Sequence, residues 1–280
     1  MSATTDPFGQ AKYQVRFDWG AAGADRIAPG VHAVVLVDAL SFTTAVVVAA
    51  EHGTAVAPWP SDDLAGAAAF AAAHDGVVAV RRGEAGPSLS PSSFIGAPEA
   101  APLVVVPSPN GGALAHRLGV LGVPVIAASM RNRTAVAERL LAMQAEHGDR
   151  FMIAVVAAGE RAGIGSAGSG GLAPDAVERR PAEPGSPLAD GTRFAIEDLL
   201  VAGAVIDALV ARGIDHTSPE AAVACAAYEG LSRATGHLIS ASGSGVELRE
   251  LGFAGDARLA AERDVTPVVP VLRGGVFVAE

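Results

Sequence analysis

Four apolar runs of strand length punctuate the chain, at Ala33–Val37, Leu103–Val106, Val123–Ala127 and Met152–Ala157. The first three each lead, through small polar residues, into segments of helical pattern: Phe42–Glu51, Gly112–Leu118 and Thr134–His147. That alternation predicts β-α units. Runs without polar interruption suit strands covered on both faces, so the expected fold is α/β, a three-layer α/β/α arrangement around a mainly parallel, mixed sheet. Polar residues would then collect at the carboxyl ends of neighbouring strands, where open α/β sheets hold their ligands.

Further along, Ala195–Ala211 and Pro219–Ala234 carry helical spacing, and Glu247–Leu251 and Asp256–Glu262 read as shorter helices. Val268–Leu272 and Val276–Ala279, around Arg273-Gly274-Gly275, predict a closing hairpin. Between Ala162 and Gly191 the composition shifts to Gly, Ser and Pro, which predicts a mobile loop, either a lid or a tolerated insertion. One domain over residues 1–280 is expected, with sub-lobes 13–160 and 192–280 as the alternative division.

Half of the 280 residues are apolar but only 5% are aromatic, a composition suited to small residues packed tightly on a sheet. The formal charge of −10 argues against a nucleic-acid partner, since phosphate-backbone affinity needs clustered cations. A local pocket can still be basic, and Arg131, Arg133 and Arg161 stand where one could form. The single cysteine, Cys225, lies in an apolar stretch and is read as core. Met1–Lys12 has no signal-peptide pattern, and no run approaches the roughly 20 apolar residues of a membrane span. The expectation is a soluble, cytoplasmic protein, with a homodimer possible and no membrane partner.

The strongest local motif is Val-Leu-Val-Asp-Ala-Leu-Ser-Phe-Thr-Thr-Ala at 35–45, a strand ending in Asp38 followed by Ser41, Thr43 and Thr44 at the opening of a helix. Hydroxyls and amides there can hold phosphate oxygens while Asp38 takes a hard cation; the plainer reading is that Asp38 or Ser41 caps the helix. A haloacid-dehalogenase motif is excluded, because its second Asp would fall at Leu40. After the second strand, Ser108-Pro109-Asn110-Gly111-Gly112 offers either backbone amides for an anion or an ordinary turn. After the third, Arg131 and Arg133 are phosphate-binding candidates or solvated surface residues. Glu160 and Arg161 follow the fourth strand. Glu197 and Asp198 open a later helix, as ligands or as partners of its dipole; neighbours on a helix point about 100° apart, so both reach one site only from a loose first turn.

Asp38-Ala39-Leu40-Ser41-Phe42-Thr43-Thr44 resembles the Asp-Val-Leu-Arg-Ala-(Ser/Thr)-Thr segment of the 2-phosphosulfolactate phosphatase family. Asn110-Gly111 is similar to that family's Thr-Asn-Gly turn, Ser129 through Glu138 to its Ser-Phe-Leu-Asn stretch, and Ile196-Glu197-Asp198 with Ala202-Gly203-Ala204 to its Leu-Glu-Asp…Ala-Gly-Ala signature. Ser242–Asp264 carries a similar Leu-Gly-Phe…Asp…Asp pattern, and Gly83-Glu84-Ala85 and Gly96-Ala97-Pro98-Glu99 stand loosely for two further motifs. Ser41 occupies a position where the family commonly has Arg.

The resemblance implies magnesium-dependent hydrolysis of a small acidic phosphate monoester, 2-phospho-3-sulfolactate in the family. Asp38, Glu160 and Arg161 would be catalytic, and Asp38, Glu197 and Asp198 would hold Mg2+. Ser41, Thr43, Thr44, Asn110, Gly111 and Arg131 would bind the phosphorylated substrate. The rival expectation is an inactive small-anion-binding or regulatory homologue. A dinucleotide enzyme is disfavoured by the absence of a Gly-x-Gly-x-x-Gly turn after the first strand.

Overall fold

The structure, a computed structural model, describes residues 6–96, 101–161 and 191–280. The expected loop 162–191, apart from Gly191, and most of the Gly96–Glu99 motif lie outside these residues. The first half comprises β1 (Val15–Trp19), α1 (Gly20–Ile27), β2 (Ala33–Val37), α2 (Phe42–Glu51), β3 (Ala55–Trp59), α3 (Leu64–Ala73), β4 (Val77–Val78), β5 (Leu103–Pro107), α4 (Gly111–Leu118), β6 (Val125–Ala128), α5 (Arg133–His147) and β7 (Ile153–Ala157). After it come β8 (Glu160–Arg161), β9 (Thr192–Arg193), α6 (Ile196–Val210), α7 (Pro219–Leu231), α8 (Thr235–Ala241), α9 (Gly243–Glu250), α10 (Ala254–Ala261), β10 (Pro270–Arg273) and β11 (Val276–Ala279).

Nine strands form one mixed, mostly parallel sheet in the order β1-β7-β2-β6-β10-β11-β3-β5-β4. The block β1-β7-β2-β6 is parallel, and so is β3-β5-β4. Joining them is the hairpin β10–β11, antiparallel to β6 on one side and to β3 on the other. The expected closing hairpin therefore sits in the middle of the sheet. It bonds to both blocks, so the C-terminal strands are integral to the sheet that carries β2 and β7.

The central strand β2 shows why its run is uniformly apolar. Val35 and Val37 face the core shared with α5, α6 and α7, while Val34 and Leu36 face the core shared with α1, α2 and α4. Both faces are buried, so neither tolerates a polar side chain. Cys225 belongs to the first of these cores, as read from the sequence.

β1 and β3 were not among the expected strands, for different reasons. β1 is an edge strand that alternates apolar and polar residues; its Arg16 is buried and donates from Nη1 to the carbonyls of Ile27 (2.9 Å) and Pro29 (2.9 Å) at the end of α1. β3 contains Pro58, which ordinarily demotes an internal strand. Here β11 pairs with β3 only at Phe277↔Val56, so the missing N–H of Pro58 falls beyond that pairing. Among the described residues no helix is long and apolar enough to cross a membrane.

α6 and α7 approach backbone to backbone. A Cβ on Gly203 would lie 2.1 Å from the carbonyl oxygen of Ala224, which explains the glycine of the Ala-Gly-Ala segment. Gly203→Ala is expected to cost about 1–3 kcal/mol by forcing the helices apart. Gly230→Ala, in α7 with nothing within 4 Å of the added carbon, is expected to be neutral or stabilising. Chemical denaturation of the two variants checks this; equal responses would contradict the close-contact explanation.

Candidate active site

At the carboxyl end of β2 the chain turns sharply into α2, and the turn is locked from within. Thr43 Oγ1 accepts from Asp38 N (3.0 Å) and donates to the Asp38 carbonyl (2.8 Å), while Thr44 Oγ1 donates to the carbonyl of Ala39 (2.8 Å). Both threonines are fully buried, so the hydroxyls expected to bind phosphate hold the loop instead. Asp38 Oδ1 accepts from Phe42 N (3.2 Å), which makes the carboxylate the cap of α2. Ser41 stands at the N-cap position without capping.

Asp38 Oδ2 accepts from Gly111 N (2.7 Å). In the sheet β5 is separated from β2 by β6, β10, β11 and β3, yet the turn after β5 reaches the end of β2. A Cβ on Gly111 would sit 2.5 Å from that oxygen, so only glycine allows the approach. The Gly111 amide therefore anchors Asp38 rather than standing free for an anion, as had been expected. Asn110 does not cap its helix either; its Nδ2 donates to Glu160 Oε1 (3.1 Å), and its Oδ1 is buried without a partner. Glu160 Oε2 accepts from Ser244 Oγ (3.1 Å) on α9, a residue within the Ser242–Asp264 segment that was not singled out as a site candidate.

Glu197 and Asp198, in the first turn of α6, are both buried. Asp198 brackets two strand ends, accepting from Ala39 N (2.7 Å) after β2 and from Gly159 N (2.9 Å) after β7. Among the described residues the Glu197 carboxylate accepts no hydrogen bond.

Four carboxylates thus share one buried region, and the proton affinities of Asp38, Glu160 and Asp198 record it. Burial pushes Asp38 up to about 6, against the pull of the Phe42 and Gly111 amides and with further upward pressure from Glu160 and Glu197. Glu160 is raised first by burial, against the hydrogen bonds from Asn110 and Ser244. Asp198 is raised well above the usual range by burial and then by Asp38 and Glu197.

The cations expected nearby divide. Arg161 is exposed and lines a cavity of about 270 Å³ together with Asn110, His116, Ala158 and Thr192. Arg131 is not in the cluster: its guanidinium grips Glu51 (3.1 and 2.8 Å) and pairs with Glu262. Arg133 is likewise occupied, by Asp207 (2.9 Å) and Asp264 (3.0 Å). Both follow β6, where Ser129 and Asn132 form a capping box that points the segment toward α10 contacts instead of the acidic region.

In their place stands Arg82, which sequence reading passed over. Its Nη2 donates to Ser41 Oγ (2.9 Å), and it pairs with Asp256 in the Leu-Gly-Phe…Asp segment. Asp256 also accepts from Ser90 Oγ (2.6 Å) and Ser92 Oγ (2.9 Å). The only available signal was the Arg81-Arg82 doublet, which looks like surface charge in a sequence.

The donor set suits a hard cation: carboxylate oxygens, together with an amide oxygen at Asn110 that lacks a donor. The expected trio Asp38, Glu197 and Asp198 does not close on one point, however. Among the described residues only Asp207, Cys225 and Glu229 bring three ligand atoms within 4.8 Å of one another, and there Asp207 is paired to Arg133 and the Cys225 thiol is pushed up to about 11 by burial. Magnesium commonly takes one or two carboxylates and completes its shell with water and substrate oxygens, and the cluster fits that mode.

A mostly parallel α/β sheet with buried carboxylates at its strand ends is the framework of an α/β enzyme. Within that class, residues 24–275 match the 2-phosphosulpholactate phosphatase family, and the chain belongs to it. Membership implies phosphatase activity, a hydrolase reaction. A comparison with curated proteins finds no match.

The raised proton affinity of Asp38 has a measurable sign. Its contribution to stability is present below the unfolded carboxyl range of about 4 and is lost as pH rises through the folded value of about 6. In chelator, the melting temperature of the wild type should therefore fall relative to Asp38→Asn between those limits. Magnesium at neutral pH should raise the wild-type value and leave the variant unmoved. Parallel pH slopes for the two proteins would show that Asp38 carries no such burden.

Proposed function

We propose that the protein hydrolyses a small acidic phosphate monoester with magnesium, and that 2-phospho-3-sulfolactate, giving 3-sulfolactate and phosphate, is the candidate substrate. The observation that carries this reading is the juxtaposition of Asp38, Glu160 and Glu197 with the unpartnered Oδ1 of Asn110, beside the cavity lined by Arg161. Family membership supplies the reaction class.

Bound magnesium would neutralise phosphoryl charge and orient its oxygens. Asp38 and Glu197 are the residues suited to hold it: Asp38 lies in the combined field of Glu160 and Glu197, and the Glu197 carboxylate accepts no hydrogen bond from another described residue. Asp198 has each oxygen on an amide between the β2 and β7 loops and acts as a brace. Glu160 is positioned by Asn110 and Ser244, and its raised proton affinity suits a group that takes a proton from the attacking water. The water oxygen bonds to phosphorus as the ester P–O bond breaks; the alcohol oxygen leaves and is protonated from solvent. Arg161, at the cavity wall, is placed to hold an acidic group of the substrate.

Phosphate release from a panel of phosphorylated hydroxy acids and sugar phosphates, with and without magnesium, tests the reaction. Asp38→Asn should lower turnover by about 10²–10³-fold or more, the scale for loss of one charge-stabilising group, with the melting curve still cooperative. Gly111→Ala should do the same by displacing Asp38. Metal-independent release, or full activity in Asp38→Asn, would sink the proposal.

A further inference from the structure

We infer that Arg82 and Ser41 form an oxyanion-binding subsite beside Asp38, with Asp256 as the positioning residue that aims the guanidinium. The inference deepens the proposed reaction and rests on that reading for the location of the site.

The Arg82 side chain is only 6% exposed, so an uncompensated charge there would be costly. It is held on three sides: Asp256 at Nη1, Ser41 Oγ at Nη2, and the ring of Phe253, 5.7 Å from the guanidinium carbon. Its Nε is buried and has no acceptor. A guanidinium carries five N–H donors, and the acceptors around this one are already subscribed. Asp256 Oδ1 takes both serine hydroxyls, and Oδ2 takes Arg82. The network therefore holds one buried donor, Nε of Arg82, that its own groups do not satisfy, unlike a self-satisfied buried ion pair. An oxyanion is the complementary ligand.

Position decides which site this serves. Ser41 is three residues beyond Asp38, at the opening of α2; burial lowers the proton affinity of Arg82, and the fields of Asp256, Asp38 and Glu247 offset part of that cost. Ser41 Oγ accepts from Arg82, which leaves the hydroxyl proton free to donate to the same anion. Four carboxylates repel an anionic substrate, and a buried cation within the field of Asp38 counters that repulsion. Arg82, on the segment after β4, brings a buried guanidinium to Ser41.

Binding of the two reaction products separates the roles without turnover. Titration calorimetry with 3-sulfolactate alone and with inorganic phosphate alone is run on the wild type, on Ser41→Ala and on the double variant Arg82→Gln/Asp256→Asn, which replaces the buried ion pair by a neutral amide pair. The double variant should lose at least 10-fold in affinity for one of the anions. Loss confined to 3-sulfolactate assigns the subsite to the substrate's acidic substituent; loss confined to phosphate assigns it to the phosphoryl group. Ser41→Ala, which leaves the ion pair intact, should weaken the same anion by several-fold and decides the matter if the double variant does not fold. Wild-type affinity for both anions in the folded double variant, or in Ser41→Ala, overturns the subsite. Magnesium-dependent phosphate release by the wild type is measured alongside. An inactive wild type whose anion binding still depends on Arg82 defeats the reaction and keeps the subsite, whereas an active wild type with unchanged binding in the variants does the opposite.

Discussion

The site depends on tethering carboxylates inside a core that disfavours their charge. Asp198 joins the loop after β2 to the loop after β7 through two backbone amides, and Asp38 joins the opening of α2 to the opening of α4 in the same way. Each tether satisfies backbone donors that helix starts and strand ends would otherwise leave exposed. Each also brings negative charge into a poorly solvated place, which is why proton affinity rises at Asp38, Glu160 and Asp198 together. Stability and chemistry draw on the same groups here. A region held in this state favours a ligand that brings positive charge, and magnesium is the natural candidate for a hard-oxygen set.

The arginines show the complementary constraint. A guanidinium near a site matters only if its donors are not already claimed. Arg131 and Arg133 follow β6 and look well placed in the linear order, but Glu51, Glu262, Asp207 and Asp264 claim them. Those carboxylates come from α2, α6 and the segments after α10, so the competition exists only once the helices have packed. Arg82 has the opposite history. It sits in an unremarkable charged doublet, and packing of α10 and the serines near 90 turns it into a buried, oriented cation.

Glycine and threonine roles follow a similar logic. The run Thr43-Thr44 has the composition of a phosphate-binding turn, yet both hydroxyls close hydrogen bonds to carbonyls of their own loop. Gly111 has the look of an anion-binding glycine, and its requirement is indeed close approach; what approaches is the Asp38 carboxylate. In both cases the motif constrains the backbone first and the ligand only through it.

The sequence by itself determined the three-layer α/β class, because uninterrupted apolar runs such as Val34–Val37 admit few arrangements other than a strand buried on both faces. It also put forward Asp38, Asn110, Glu160, Glu197 and Asp198 as candidates, each beside a structural reading such as a cap, a turn or a dipole partner, because polar residues after parallel strands collect at one end of the sheet. Tertiary structure alone decided which of these meet. Gly111 reaches Asp38 across four intervening positions in the strand order and Asn110 reaches Glu160 across five, and that order depends on the C-terminal hairpin entering the middle of the sheet. The cation opposite Asp38 was settled in the same way. Long-range hydrogen bonds and ion pairs are chosen by competition among partners distant in sequence, and a linear pattern carries no record of which partner wins.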